Sequence, residues 1–216
     1  MPIKFQMQLS ETSNDHETRI FIGDDDYLSL CDPALLGIDP PEFFIQPGLR
    51  ESGHLLVGRC GCGCVGCGDE MVETTVTDTA VTWVGRRQAP AGMTFSRSEF
   101  FAELDRAIAD TSWETVERRA ERLVSALDFS HLADSGIRFG WASARLHPDR
   151  MSMSLQLDEG QGYQLICSVP WNHDDADIAV AAVTELLRSP IAAWKDVVYH
   201  GHSRPTSAGP AWKQHT

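Results

Sequence analysis

The sequence lacks several features that would classify it quickly. No apolar run approaches the roughly 20 residues that a membrane-spanning helix needs. The N-terminal stretch turns polar after Leu9 and has no apolar core of signal-peptide kind. No block of about five or more basic residues occurs, and 31 acidic against 18 basic side chains leave a net charge of -13. Phosphates reward clustered Lys and Arg, so this balance argues against nucleic acid and anionic membranes as partners. No G-x-S-x-G elbow, P-loop or strand-linked G-x-G-x-x-G is present, which removes the common signatures of serine hydrolysis and nucleotide binding. No internal repeat is visible. The absences together predict a cytoplasmic protein, whose cysteines are then thiols or metal ligands rather than permanent disulfides.

The composition is that of a globular chain. Of 216 residues, 42% are hydrophobic and 23% charged, enough to bury a core without a staple. The apolar residues of 3–9 alternate, the period of a half-buried strand, and Ile20-Phe21-Ile22 is placed to pair back across a polar run. Asp24-Asp25-Asp26 reads as a solvated turn, lacking the ligand spacing of a calcium loop. The Pro-Pro and Pro-Gly steps of 35–47 read as turn chemistry. Residues 71–76 and 80–84 read as a hairpin, with Val72, Thr74 and Val76 on one face and Val81 and Trp83 on one face of its partner.

Ser96-Arg97-Ser98-Glu99 has the form of a capping box. Phe100, Leu104 and Ile108 follow at helical spacing, and a second helix continues the stripe through Trp113, Val116, Ala120, Leu123 and Leu127. Strands are expected over 137–146, 151–157 and 163–169, as a meander with Phe139 and Trp141 on one face. A helix over 174–188 follows, then a short one burying Trp194 and Val198. The fold class predicted is α+β, with mainly antiparallel sheet, a central helical pair, a C-terminal helix and a Cys-rich loop of zinc type. Residues 1–199 are expected to form one domain, with a possible division near 88–94. Residues 200–216, rich in Gly, Pro and Ser, are expected to be a flexible tail.

That loop is the densest chemistry in the chain. Cys60, Cys62, Cys64 and Cys67, four of six cysteines, fall within Val57 to Glu70 as VGRCGCGCVGCGDE. Zinc takes four ligands at tetrahedral corners, and Cys64-x2-Cys67 has the spacing of a zinc knuckle. The flanking glycines permit the positive φ that a chain wrapping a metal requires, and Arg59 is placed to offset thiolate charge. Four ligands from one loop is compact, however. Three cysteines with His54 or Cys31 as the fourth ligand is the alternative. A disulfide between cysteines two apart is strained, so Cys60–Cys62 and Cys62–Cys64 are poor pairs. Asp69 and Glu70 read as solvated acids.

The stretch from Arg59 to Gly68, followed by Val81-Thr82-Trp83, resembles a group of uncharacterised actinobacterial proteins. Their pattern is an R-C-x-C-G-x-x-G-C loop followed by a V-x-W strand, and Phe139-Gly140-Trp141 and Val169-Pro170-Trp171 are also similar to that group. The resemblance implies no activity. It supports Cys60, Cys62 and Cys67 as ligands with a fourth from elsewhere, because Cys64 falls where the pattern accepts other residues.

Other constellations have simpler explanations. His173 stands between Asn172 and Asp174-Asp175, which reads as helix capping, and His200, His202 and His215 sit in the expected tail. The function expected is therefore non-enzymatic. The chain would carry a structural zinc loop and act by binding another protein, its acidic surface suiting a basic partner as in immunity or antitoxin proteins. A thiol-redox or metal-dependent enzyme using the same loop is the alternative.

Overall fold

The computed structural model describes residues 1–10, 15–62, 66–85, 92–160 and 162–215. The fold is α+β with mainly antiparallel sheet, as expected. The chain divides into two compact units, Met1–Trp113 and Glu114–Thr216, each with its own hydrophobic cluster. The boundary falls between the two central helices, not near 88–94, and the single domain expected over 1–199 is not what the cores describe.

In the first unit, β1 (Ile3–Leu9) and β2 (His16–Ile22) form the expected hairpin, with Phe5 opposite Ile20. Here β2 starts earlier than its apolar residues suggest, so His16, Glu17, Thr18 and Arg19 are buried. Their polar groups are met inside. Glu17 accepts from the Gly37 N–H at 2.6 Å, and Arg19 pairs with Asp26 and donates to the Leu35 carbonyl at 3.2 Å. Asp26 ends the short β3 (Asp25–Asp26) and caps α1 (Tyr27–Cys31), accepting from the Leu28 N–H at 3.1 Å. It is therefore a structural acid rather than part of a solvated turn.

Residues 35–47, expected to be irregular, contain β4 (Leu35–Gly37) and α2 (Pro40–Phe44). The fixed φ of Pro40 and Pro41 suits the first helical turn, which is why the pair starts an element instead of breaking one. Next come β5 (Gly53–Cys60), β6 (Glu70–Val76), β7 (Ala80–Gly85) and β8 (Met93–Ser96). They complete a sheet of order β4-β5-β6-β7-β8, antiparallel throughout. The expected hairpin is β6–β7, with Val72, Thr74, Val81 and Trp83 buried. The helix α3 (Arg97–Ala109) buries Phe100 and Leu104. Ser96 stands at its N-cap, but the hydroxyl meets Ser98 Oγ at 3.0 Å and caps no backbone donor.

The second unit opens with α4 (Val116–Ser125), capped by Thr115. Strands β9 (Ile137–Ser143), β10 (Arg150–Leu157) and β11 (Tyr163–Pro170) form the expected meander. A bulge opposite Ser154/Leu155 falls at Gly140, and such an extra residue breaks the alternation of a strand. Phe139 therefore packs inward, stacked on Phe129 at 4.2 Å, while Trp141 is exposed. The helix α5 (Ala176–Arg188) is capped by Asp175, and its Ile178 is half exposed.

The C-terminal residues are part of this core, not a flexible tail. After a 3-10 turn over Ile191–Ala193, β12 (Val197–His200) and β13 (Lys213–Gln214) extend the sheet to the order β13-β12-β11-β10-β9. Val198 therefore lies in a strand and not in a helix. Trp212 is buried, and Glu159 accepts from the backbone N–H groups of Thr206 and Ser207. One buried indole outweighs the polar composition around it.

Among the described residues no helix is long and apolar enough to cross a bilayer.

Candidate metal centre

The cysteine loop is the turn of the β5–β6 hairpin. Cys60 is the last residue of β5 and is held in the ladder opposite Leu35 of β4. Gly58 pairs with Glu70, the first residue of β6, so the two strand ends stand one ladder step apart. Neighbouring strands lie about 4.8 Å apart. Cys60 and Cys62 on the outgoing side and Cys67 on the returning side are thereby folded toward one another. Val57 is the extra residue of a bulge just before this end, which adds local twist.

The result is a convergent set of three thiols. The Sγ atoms of Cys60, Cys62 and Cys67 all lie within 4.8 Å of one another, with Cys60 half-buried and the other two exposed. Sulfurs at tetrahedral corners around one zinc stand about 3.8 Å apart for a bond of roughly 2.3 Å, so a small closure brings all three into bonding range. The Cys62 N–H donates to Cys60 Sγ at 3.5 Å. Gly66 and Gly68 take φ of 80° and 132°, and the Gly66 N–H donates to Asp69 Oδ2 at 3.2 Å. Glycine is required where the returning chain bends this way.

Hydrogen bonding to Cys62, followed by the charges of Cys62 and Cys60, pushes the Cys67 thiol above its ordinary value. A bound divalent ion favours the thiolate and would oppose that shift.

The remaining candidates are placed as follows. His54 is exposed at the far end of β5 opposite Glu73, and is not part of the cluster. Six residues of extended strand span roughly 20 Å, so β5 itself separates His54 from the thiols. Cys31 ends α1, where burial pushes its thiol up, and it too lies outside the cluster. Cys64 falls outside the described residues. Arg59 pairs with Glu42, at 3.4 Å, rather than facing the loop alone.

Glu70 was expected to be solvated, yet it is fully buried. Burial of the Cys31 thiol and of the Tyr27 phenol pushes each up, and the charge of Glu70 adds to both. Nothing in the local sequence marks this acid as internal, since burial follows from its pairing opposite Gly58 beneath α1.

In the second unit His173 stacks on Trp171 at 4.3 Å and its Nδ1 meets Glu117 Oε1 at 3.2 Å. Its carboxylate partner thus comes from α4, and Asp175 serves as the cap. His200 and His215 stack at 4.3 Å, joining the ends of β12 and β13.

Comparison with known protein families, curated proteins and solved structures finds no match to this chain. The chemistry of the cluster is therefore argued from its own geometry. Three thiols in one hairpin turn are able to hold a metal ion.

Proposed function

We propose that the first unit carries a structural zinc site, with Cys60, Cys62 and Cys67 as its protein ligands, and that the protein acts by binding another protein rather than by catalysis. The convergence of three sulfurs within 4.8 Å carries the metal reading. Zinc is the ion whose preferences fit thiolate ligands and a glycine-bearing turn of this size. The ion would tie the two arms of the β5–β6 turn together at the place where the ladder stops. The net charge of -13 supports a basic protein as the partner, in the manner of an immunity or antitoxin protein, and disfavours nucleic acid or an anionic membrane.

Elemental analysis of full-length protein purified under reducing conditions tests the site. About one zinc per chain is expected. Cys60→Ser, Cys62→Ser and Cys67→Ser should each lower occupancy and lower the thermal midpoint of the first unit, whereas His54→Ala should leave both unchanged. Wild-type protein that stays metal-free after reconstitution overturns the reading.

A further inference from the structure

Resting on the metal reading, we propose that Cys62 and Cys67 are a reversible oxidation site, whose disulfide closes the hairpin turn in place of the metal and releases it. Three features single out this pair. Their sulfurs are already within 4.8 Å, and both side chains are exposed, while Cys60 is half-buried and anchored in the β4–β5 ladder. Gly66 and Gly68 flank Cys67 with positive φ, so the returning arm can pivot by a small backbone adjustment. Cys60 and Cys62 are separated by one residue and make a strained ring, whereas Cys62 and Cys67 are separated by four. Elsewhere Cys167 is buried in the second core and Cys31 lies outside the cluster, so neither competes.

The co-reactant is a hydroperoxide. The Cys62 thiolate attacks the peroxide oxygen, an S–O bond forms, the O–O bond breaks and the alcohol or water leaves. The Cys67 sulfur then attacks the sulfenic sulfur, losing its proton, the S–S bond forms and the S–O bond breaks, releasing water. Two thiols lose two electrons and two protons, and the peroxide takes up both. A zinc ion that loses two of its sulfur ligands at once is no longer held.

The test uses full-length reduced protein treated with one equivalent of hydrogen peroxide, in metal-free and zinc-loaded forms. Peptide mapping should find a Cys62–Cys67 linkage in the metal-free form, reversible by dithiothreitol. A chromogenic chelator should record one zinc released per linkage in the loaded form. Cys62→Ser and Cys67→Ser should abolish the linkage, and metal-free Cys60→Ser should retain it. Linkage of Cys67 to Cys64, a disulfide between chains, or oxidation without any disulfide overturns the proposal, as does zinc retained after the linkage has formed. Protein that takes up no zinc overturns the metal reading instead, and the mapping on metal-free protein still decides the oxidation site.

Discussion

The indole of Trp83 and the ring of Phe100 meet edge-on, their centroids 5.6 Å apart at 80°. Trp83 lies on a central strand and Phe100 on the helix that follows the sheet, and both are fully buried. Phe95 completes the contact at 5.4 Å from Trp83, and Phe5 reaches Phe100 from the first hairpin at 5.9 Å. Trp83→Ala removes the largest side chain at this junction, and is expected to cost about 3–5 kcal/mol of first-unit stability. Urea unfolding followed by far-ultraviolet circular dichroism measures it. A loss below about 1 kcal/mol would show that the cluster is not the anchor of this core.

Glu121 and Arg118 pair at 2.9 Å with almost no solvent access. Glu121 also accepts from the Ala144 N–H and from Arg145 Nε, each at 2.9 Å. Glu121→Ala leaves a buried guanidinium and a backbone donor without this acceptor, so a loss of about 3–5 kcal/mol in the second unit is expected. Glu121→Gln keeps an acceptor and should cost less. Equal losses for the two substitutions would contradict this account.

The Glu159 carboxylate is held down to about 2 by hydrogen bonds from Thr206, backbone first and then side chain, with Ser207 adding to them. A carboxylate whose folded value is depressed contributes stability above its unfolded value of about 4.3 and loses it as pH falls toward the folded value. Amide exchange at Thr206 and Ser207 should therefore accelerate relative to the rest of the sheet as pH falls from about 4.5 toward 2. Glu159→Gln should make this segment less protected at neutral pH and remove the pH dependence. Exchange that stays uniform across that range would mean the carboxylate does not hold the segment.

Trp212 is 3% exposed in the second core, and its neighbours in sequence pair β13 with β12. Trp212→Ala should destabilise this unit by about 3–5 kcal/mol, and removal of residues 201–216 by at least as much. Differential scanning calorimetry of the full chain should show the second transition lowered. An unchanged transition after truncation would restore the picture of a dispensable tail.

The legibility of this chain followed the range of the interaction involved. Hairpin β6–β7, the meander β9–β11 and helix α5 were readable because their apolar period is written in neighbouring residues. The buried polar groups were not readable. Glu17, Arg19 and Glu121 look like surface residues until their partners arrive from other elements, Gly37 for Glu17, Asp26 for Arg19, and Arg145 and Ala144 for Glu121. The division between units falls inside an apolar stripe that a helical period alone treats as continuous. Composition was likewise a poor guide after His200, where Trp212 is buried and β13 joins the sheet.

For the candidate site, the sequence by itself determined the ligand chemistry, because thiols flanked by glycine in a short turn are a local property. Only the tertiary structure decided which of them converge. Pairing of β5 with β6 brings Cys67 back to Cys60 and Cys62, while the same extended β5 carries His54 away and α1 keeps Cys31 beside Tyr27. A strand spaces its residues along a line and a hairpin folds that line back, so proximity to the thiols depended on which side of the turn each residue lies.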